Sequence, residues 1–399
     1  MTAPLRPRPS RGLLDVFLVA GEESGDRLGA ALMRALRIRT DGKVCFTGVG
    51  GREMAAEGVA SLYPIDALSI IGFSAVPGRL LKILRLLRLT VKAVVARRPD
   101  ILVVIDSPGF TLEIARRVRA ADPSIVIVEY VSPSVWAWRP GRARAMRRYV
   151  DHILALLPFE PEVHRRLGGP PCTYVGHPLA DEARDLRPNE SEAVRRLAAP
   201  PALLVLPGSR LGEVQRLLAV FAATVAMLKD RLGPLEVVVP TLPHLVAPVA
   251  AATAQWPVRP RIVVTESEKR AAFRVARAAL AKSGTVTLEL ALAGVPTVAA
   301  YRVSWLEAMV GRRMIRVPSV ILANLVLGEN VVPEFIQEAC TAENLKTALL
   351  PLFDDSPQRR RQIEAFSRLD TIMEIGSSAP AMRAAEVVVA AGDRTVQAE

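Results

Sequence analysis

Two stretches of the sequence decide the fold: LVAGEESGD (Leu18–Asp26) and LVLPGSRLGE (Leu204–Glu213). Each runs from an apolar strand through a glycine turn into a helical stretch, so both halves of the chain open in the same way. Around them, short β-branched runs alternate with helical stretches rich in Leu, Ala and Arg, which is typical of a parallel sheet covered by helices. We predict an α/β fold of two similar domains in tandem, with an interdomain ligand cleft at the carboxyl ends of the strands.

The alternation places ten strands. The predicted ranges are Leu14–Ala20, Val44–Gly48, Ile101–Ile105, Ile125–Tyr130, His152–Ala155, Ala202–Leu206, Glu236–Pro240, Arg261–Thr265, Ala278–Ala281 and Thr297–Ala300. Between the halves, the polar segment Asp181–Pro201 is predicted to be a linker. We expect domains at residues 1–186 and 187–365, followed by a helical tail, 366–399, that packs back on the first domain.

The composition excludes several classes of protein. Of the 399 residues, 50% are hydrophobic, which excludes a disordered chain. Three distant cysteines exclude a disulfide scaffold and favour a reducing compartment. The basic start is predicted to be an arm over residues 1–12 rather than a signal peptide, because Asp15 interrupts the apolar stretch that follows. The uncharged run Val237–Val258 contains four prolines and is predicted to form a strand, a loop and a helix rather than a membrane span.

The formal charge of +12 is concentrated in two segments. Ala67–Pro99 contains seven Lys or Arg, Tyr130–Val150 contains five, and neither contains an acid, so the other residues balance. In the first segment a helix over Arg79–Val95 would place Arg79, Lys82, Arg85 and Arg88 on one half of its surface, with surplus leucines beside them. This pattern fits an outer helix of an α/β domain or a helix that docks on an anionic membrane.

The second half contains the residues for a nucleotide diphosphate. Gly208-Ser209-Arg210 places a hydroxyl and a forked guanidinium at a helix N-terminus. Ser283-Gly284-Thr285 forms a similar turn, and Glu289 follows where it could accept hydrogen bonds from a ribose. A surface ion pair at Arg210 and ordinary helix capping at Thr285 are the alternatives.

The first half offers a general base. Asp106 follows an apolar strand and faces the predicted cleft, with a local turn as the alternative role. The loop Val131–Arg144 contains two tryptophans among arginines and is predicted either to contact a ligand or to pack on its own domain. The histidines lack ligand spacing and the chain lacks an Asp-x-Asp motif, so we expect neither a metal nor a cofactor.

Seven sequence blocks together resemble the lipid-A-disaccharide synthases. The blocks are AGEESGDRLG (Ala20–Gly29), GVGGREM (Gly48–Met54), YVSPSVWAW (Tyr130–Trp138), LPFE (Leu157–Glu160), VGHP (Val175–Pro178), LPGSR (Leu206–Arg210) and Pro318–Glu334. They occur in order over residues 14 to 345. The resemblance implies a GT-B glycosyltransferase of two Rossmann-like domains, peripheral on the cytoplasmic face of the inner membrane of Gram-negative bacteria.

The resemblance also implies a reaction and a set of site residues. The enzyme would join UDP-2,3-diacylglucosamine to 2,3-diacylglucosamine 1-phosphate (lipid X), with inversion, and release UDP. Asp106 falls on the essential aspartate of the family. The implied UDP-binding residues are Ser209, Arg210, Ser283, Gly284, Thr285, Glu289, Asn324 and Glu329. The residues expected at the cleft of the first domain are Gly21, Glu22, Ser24, Ser107, Ser132 and Trp136. An anionic membrane surface is the expected partner, nucleic acid is not, and a homodimer is left open.

The chain departs from the family at two places. Gly109 stands where the family commonly has a second aspartate after Asp106, and Leu68–Val76 differs from the usual pattern. Both departures lie near the expected acceptor region. Two alternative functions are a GT-B-type UDP-sugar epimerase, which shares the UDP site, and a basic nucleic-acid-binding protein, suggested only by the sequence pI.

Overall fold

The computed structural model describes residues 12–68, 77–304, 309, 317 and 319–396. The segments 1–11, 69–76, 305–308, 310–316 and 397–399 and residue 318 lie outside it, and with them most of the predicted basic arm and of the departure at Leu68–Val76. The chain forms two compact units. The first unit contains the chain up to Pro178 and the segment from Ser377 onward, and the second contains Leu179–Gly376. The domain boundaries given above stay predictions.

The first unit is built on a six-stranded parallel sheet in the order β2-β1-β3-β4-β5-β6. Its strands are β1 (Leu14–Ala20), β2 (Val44–Val49), β3 (Ile101–Ile105), β4 (Val126–Tyr130), β5 (His152–Ala155) and β6 (Cys172–Tyr174). Its helices are α1 (Glu23–Arg39), α2 (Arg52–Ala56), α3 (Pro77–Arg97), α4 (Thr111–Ala121), α5 (Gly141–Met146), α6 (Glu160–Leu167) and the C-terminal α17 (Pro380–Val396). The strand order reverses between β1 and β3, which are hydrogen-bonded neighbours.

The sheet of this unit has a hydrophobic core on each face. All five residues of β3 are buried, as expected of a strand with helices on both sides. On one face β1 and β3 pack with α1 and with Ala384, Ala385 and Val388 of α17. On the other face they pack with α3 and α4. The C-terminal helix is therefore part of the first unit.

The second unit repeats this architecture with the order β12-β11-β10-β7-β8-β9. Its strands are β7 (Ala202–Leu206), β8 (Glu236–Pro240), β9 (Arg261–Val263), β10 (Ala278–Lys282), β11 (Thr297–Tyr301) and β12 (Glu334–Ile336). Its helices are α7 (Leu179–Leu186), α8 (Glu190–Leu197), α9 (Leu211–Leu232), α10 (Val246–Thr253), α11 (Glu266–Val275), α12 (Val286–Leu292), α13 (Leu322–Leu327), α14 (Ala342–Leu349), α15 (Pro357–Ser367) and α16 (Leu369–Ile372). Here the order reverses between β7 and β10. Two parallel α/β sheets confirm the predicted fold class.

The predicted linker Asp181–Pro201 is wrong. Most of this segment folds into α7 and α8, and Asn189 and Glu192 form a capping box at the start of α8. The buried Arg196 donates hydrogen bonds to four backbone carbonyls, those of Phe273, Arg274, Ala293 and Gly294. Because a buried guanidinium needs partners for its donors, this contact makes α8 an integral part of the second unit.

The helix α9 is long and apolar enough, by length and composition, to cross a membrane. Its residues Leu217, Phe221, Val225 and Leu228 are fully buried against the second sheet. These contacts are those of a core helix, because one face is covered by β-strands of its own unit.

A buried ion pair fixes α3 to the first sheet. Arg97, the last residue of α3, donates from Nε to Asp15 Oδ2 at 2.8 Å and from Nη2 to Asp15 Oδ1 at 3.1 Å. Both side chains are almost fully buried. Cys45 Sγ contacts the same carboxylate at 3.2 Å, and burial raises the pKa of this thiol to about 11.

We expect Arg97→Met to destabilise the first unit by roughly 3–5 kcal/mol, because it leaves the Asp15 carboxylate buried without its counterion. Arg98→Ala is the matched control, since Arg98 is exposed and pairs with Asp122 at 3.2 Å. Its cost should stay below about 1 kcal/mol. Urea unfolding followed by circular dichroism measures both values, and equal costs would contradict the role given to the Arg97–Asp15 pair.

Candidate active site

Asp106 lies where the strand order of the first sheet reverses, directly after β3. Its Oδ2 accepts a hydrogen bond from Ser24 Oγ at 3.1 Å, and its Oδ1 accepts one from the backbone N–H of Ser107 at 2.7 Å. Ser24 belongs to α1, which follows β1. The structure therefore brings together three of the predicted site residues at the carboxyl ends of β1 and β3, the position where open α/β sheets bind ligands.

The backbone at this turn is held in an unusual conformation. Asp106 and Ser107 have φ of 55° and 46°, in the left-handed region that non-glycine residues rarely adopt. Thr111 Oγ1 donates to the carbonyl oxygen of Asp106 at 2.5 Å and to that of Ser107 at 3.0 Å. A Cβ added to Gly21 would lie 2.3 Å from Ser107 Cβ, so only glycine allows this approach. Strain of this kind is concentrated at functional sites.

The other predicted residue of this turn, Glu22, is exposed and precedes α1 without a side-chain cap. The buried carboxylate of Asp26 has a structural role instead. It accepts hydrogen bonds from the backbone N–H groups of Gly51, Glu53 and Met54 at 2.7–3.0 Å. This carboxylate joins two of the sequence blocks, AGEESGDRLG and GVGGREM, by capping α2.

Ser132 and Trp136 point into the protein. Ser132 is buried, and its Oγ is 2.9 Å from His164 Nε2. Trp136 Nε1 donates to Glu160 Oε1 at 3.1 Å, and its ring packs edge-on against Phe159. Burial raises the pKa of Glu160 to about 7, although hydrogen bonds from Leu157 and Trp136 act in the opposite direction. These contacts hold the loop after β4 against α6, and a ligand contact of either residue stays a prediction.

In the second unit, the predicted Arg210 lies at the turn after β7, and Lys282 ends the neighbouring β10. Glu213 Oε1 is 3.1 Å from Arg210 Nη1 and 3.1 Å from Lys282 Nζ, and its Oε2 accepts from the N–H of Ser209 at 3.2 Å. Burial opposes ionisation of Glu213, yet Lys282 and Arg210 hold its pKa below the ordinary value. Arg210 and Lys282 thus form a small cationic site, called the cationic cradle below, and the carboxylate of Glu213 lies between them.

Gly208 shapes the same turn, with a φ of 121°, and a Cβ there would lie 2.5 Å from Glu213 Oε2. The predicted turn Ser283-Gly284-Thr285 follows Lys282. Ser283 Oγ donates to the carbonyl of Val320 at 2.8 Å. Thr285 precedes α12 without a side-chain cap, and Lys282 Nζ would be 3.8 Å from a Cβ on Gly284. The structure therefore brings Ser209, Arg210 and the 283–285 turn together at the point where the strand order reverses.

Glu289, on α12, forms an ion pair with Lys269 of α11, with Oε2 2.5 Å from Nζ. Burial disfavours the charged ammonium, but Glu289 and Glu266 outweigh this effect and raise the pKa of Lys269. A ribose that binds the carboxylate of Glu289 must therefore either share it with Lys269 or displace Lys269.

Asn324 and Glu329 are not part of the cradle. The buried Asn324 amide accepts hydrogen bonds from the N–H groups of Val331 and Val332, and it donates to Ser319 Oγ and the carbonyl of Val332. Glu329 lies in the loop that enters the amino end of β12, and it pairs with Arg368 at 2.5 Å. Ser283 follows the carboxyl end of β10, whereas Glu329 precedes the amino end of β12, so the two residues lie at opposite ends of these parallel strands. UDP contacts by these two residues stay predictions.

The basic helix α3 presents its charges to solvent. Lys82, Arg85 and Arg88 are exposed, as is Leu81 at 70%, while Leu87 and Val94 are buried. The side chain of Arg79 lies outside the described part. The structure thus confirms the predicted helix, with Lys82, Arg85 and Arg88 on its exposed face and Leu87 and Val94 on its buried face.

The sequence analysis missed Lys282, Glu213 and Glu129 as components of these sites. Lys282 is the last residue of β10, and Asp106 directly follows β3 in the same way. A charged residue at the carboxyl end of a buried strand could therefore have been recognised from the sequence as a candidate site residue. Glu129 is a charged residue inside the apolar strand β4, and it is fully buried. Among the described residues, no group of three or more His, Cys, Asp or Glu side chains could hold a metal ion.

Proteins named as lipid-A-disaccharide synthases match nearly the whole of this chain. A family profile described as "Lipid-A-disaccharide synthetase" matches residues 16–387. Over 374 residues the chain is 63% identical to the lipid-A-disaccharide synthase of Nitrobacter hamburgensis, with 94% of each chain covered. It is 44% identical over 376 residues to that of Rhodospirillum centenum, again with 94% of each covered.

Solved structures with low sequence identity share the fold. The UDP-GlcNAc 2-epimerase of Neisseria meningitidis bound to UDP-GlcNAc has a TM-score of 0.60 at 12% identity, covering 96% of this chain and 100% of that one. MurG of Acinetobacter baumannii has a TM-score of 0.56 at 16% identity, covering 94% and 99%. These likenesses establish the GT-B fold class, and the extended identity to the synthases establishes more: the chain belongs to the lipid-A-disaccharide synthase family of glycosyltransferases.

Proposed function

We propose that the chain transfers 2,3-diacylglucosamine from UDP to the 6-hydroxyl of 2,3-diacylglucosamine 1-phosphate, with inversion at the anomeric carbon and release of UDP. The observation that carries this proposal is the Asp106 carboxylate, fixed by Ser24 and Ser107 at the carboxyl end of β3. Inversion in one displacement needs one base for the attacking hydroxyl, and a carboxylate at this position supplies it. Family membership favours this reaction over the epimerase and nucleic-acid alternatives.

In the proposed reaction, an oxygen of Asp106 takes the proton from the 6-hydroxyl of the acceptor. The hydroxyl oxygen forms its bond to the anomeric carbon of the donor while the bond from that carbon to the diphosphate oxygen breaks. The electron pair leaves with UDP. The hydrogen bonds from Ser24 and Ser107 fix the carboxylate, so little reorganisation is needed as the proton moves.

The cationic cradle of the second unit is the proposed site of the diphosphate. Arg210 and Lys282 both contact Glu213, and a diphosphate could replace that carboxylate as their anionic partner. Ser209 and the turn Ser283-Gly284-Thr285 would add N–H and hydroxyl donors, and Glu289 would accept from the ribose. These cations would stabilise the leaving group without a metal ion.

We further propose that α3 docks the first domain on an anionic membrane. Its exposed Lys82, Arg85 and Arg88 carry positive charge, and Leu81 adds exposed apolar surface. Both lipid substrates reside in a membrane, so this surface would bring the acceptor domain to them. A cytoplasmic location and a homodimer stay predictions.

Asp106→Asn should lower kcat roughly 100- to 10,000-fold, because an amide cannot accept the proton. UDP release is measured with UDP-diacylglucosamine and diacylglucosamine 1-phosphate, with and without EDTA. Turnover by the unaltered protein should survive EDTA. Near-normal turnover of Asp106→Asn would refute the base assignment, loss of turnover in EDTA would refute the metal-free mechanism, and conversion of the donor without any acceptor would support the epimerase.

Arg210→Ala and Lys282→Ala should each raise the Kd for UDP roughly 10-fold, because each removes a charged hydrogen-bond donor from the proposed diphosphate. Lys346→Ala is the control, since Lys346 forms a surface pair with Glu343 on α14. Isothermal titration calorimetry with UDP gives the three affinities. Unchanged binding by both cradle variants would place the diphosphate elsewhere.

Replacing Lys82, Arg85 and Arg88 together by Gln should weaken binding to vesicles containing anionic phospholipid by roughly 100-fold, since each such charge contributes about 1 kcal/mol. The control replaces three exposed cations of the second unit, Lys229, Arg231 and Arg360, by Gln. Vesicle sedimentation at two salt concentrations reports the binding. Equal losses in both triple variants would show that net charge, rather than α3, determines docking.

A further inference from the structure

Two arginines after β4 stack on one tryptophan: Arg139 lies in the loop and Arg142 lies in the first turn of α5. The guanidinium carbon of Arg139 lies 4.6 Å from the ring centroid of Trp138, and that of Arg142 lies 5.3 Å from the same ring. Arg139 is exposed and Arg142 is half-buried. Arg139 also has a φ of 53°, in the left-handed region. The ring thus holds two like charges close together, and an anion bound between them would offset their mutual repulsion.

Neither arginine has a carboxylate partner among the residues that the structure describes. Other arginines of this unit do: Arg116 and Arg117 share Glu113, and Arg165 pairs with Glu162. Burial and the neighbouring Arg139 lower the pKa of Arg142. The positive charge at Trp138 is therefore uncompensated, in a protein that pairs many of its arginines.

Glu129 is a buried acid that interacts electrostatically with Arg142. Both of its carboxyl oxygens are buried and lack hydrogen-bond partners. Burial, reinforced by repulsion from Asp106, raises the pKa of Glu129 well above the ordinary value, while Arg142 acts in the opposite direction. Because burial favours the uncharged form of Glu129, this acid is a poor counterion for the two guanidinium groups that stack on Trp138.

Glu129 also shows where this cationic pair lies. Its carboxyl group interacts electrostatically with both Asp106 and Arg142. The geometry agrees, because the backbone N–H of Asp106 donates to the carbonyl of Tyr130 at 3.0 Å, and the segment with Trp138 and both arginines continues directly from Tyr130, the end of β4. In a hexose with a phosphate at carbon 1 and a free hydroxyl at carbon 6, the anion and the nucleophile lie at opposite ends of one molecule, so such an acceptor would contact the arginine pair and Asp106 together.

We propose that Trp138, Arg139 and Arg142 bind the phosphate monoester of the acceptor sugar while its 6-hydroxyl lies at Asp106. The forked guanidinium groups suit the oxygens of a phosphate monoester. This inference rests on the proposed function, since it assigns the phosphate end of the same acceptor. It makes the loop a determinant of specificity for phosphorylated over unphosphorylated diacylglucosamine.

The test compares Arg142→Gln and Arg139→Gln with the control Arg148→Gln. Arg148 is an exposed arginine of the same basic segment, without a ring contact. In neutral detergent micelles, each loop variant should raise KM for diacylglucosamine 1-phosphate roughly 10- to 100-fold. KM for the UDP-sugar should stay constant, and the control should stay within about twofold. Arg142→Lys, which keeps the charge but loses the fork, should recover only part of the loss.

Calorimetric titration of each protein with diacylglucosamine 1-phosphate and with diacylglucosamine in the same micelles provides a readout that is independent of turnover. The unaltered protein should prefer the phosphorylated lipid, and the loop variants should lose that preference. If the phosphate preference is present but Asp106→Asn retains turnover, the proposed base fails and this inference stands.

Three results would overturn the inference. One is an equal loss of affinity for the phosphorylated and unphosphorylated lipids. Another is a raised KM for the UDP-sugar instead of the acceptor, which would assign the arginines to the donor diphosphate. The third is a defect seen only with anionic vesicles and absent in neutral micelles, which would assign them to membrane docking. Because Arg139 is exposed, its variant keeps the test valid if Arg142→Gln fails to fold.

Discussion

The close approach of the turns after β1 and β3 is the constraint on which the candidate active site depends. Gly21 leaves no space for a side chain beside Ser107, and Asp106 and Ser107 adopt positive φ to fit against it. Strained positions of this kind cost of order 1–3 kcal/mol each and persist only where the surroundings hold them. Here Thr111, Ser24 and the parallel pairing of β1 with β3 hold them. The result is a carboxylate with a fixed direction at the edge of the sheet.

The two units use the same topological position for opposite charges. In the first, the reversal of strand order presents the carboxylate of Asp106. In the second, it presents the cations Arg210 and Lys282, which share Glu213. Each sheet has a point where its strand order reverses, and the residues at the carboxyl ends of the strands there determine the charge of the site. In the proposed function, Asp106 would supply the base for the acceptor hydroxyl, and Arg210 and Lys282 would bind the diphosphate of the donor.

Long apolar strands and helices could be predicted from the sequence. Hydrogen bonds and ion pairs between polar residues far apart in the chain could not. Strands such as Leu14–Ala20 and Ile101–Ile105 match the structure, because buried parallel strands are continuous apolar runs. The short edge strands Cys172–Tyr174 and Glu334–Ile336 are not predicted, because neither lies in a continuous apolar run. The sequence predicts a linker where the helix Glu190–Leu197 forms, because the anchor of this helix, Arg196, donates to carbonyls about 80 to 100 residues away. Likewise, nothing local reveals that Glu213 pairs with Lys282.

Buried acids determine where the positive charge of this protein remains uncompensated. Asp15 is buried, and Arg97 donates hydrogen bonds to both of its carboxylate oxygens. Glu129 is buried without such a partner, and burial favours its neutral form. At Asp15 the partner Arg97 is bound in an ion pair that fixes α3. At Glu129 no such pair forms, and Arg142 stacks on Trp138 instead. The same residue types thus produce a structural ion pair in one place and the proposed anion-binding surface in another. The difference is the number of hydrogen bonds that the surrounding backbone and side chains offer each carboxyl group.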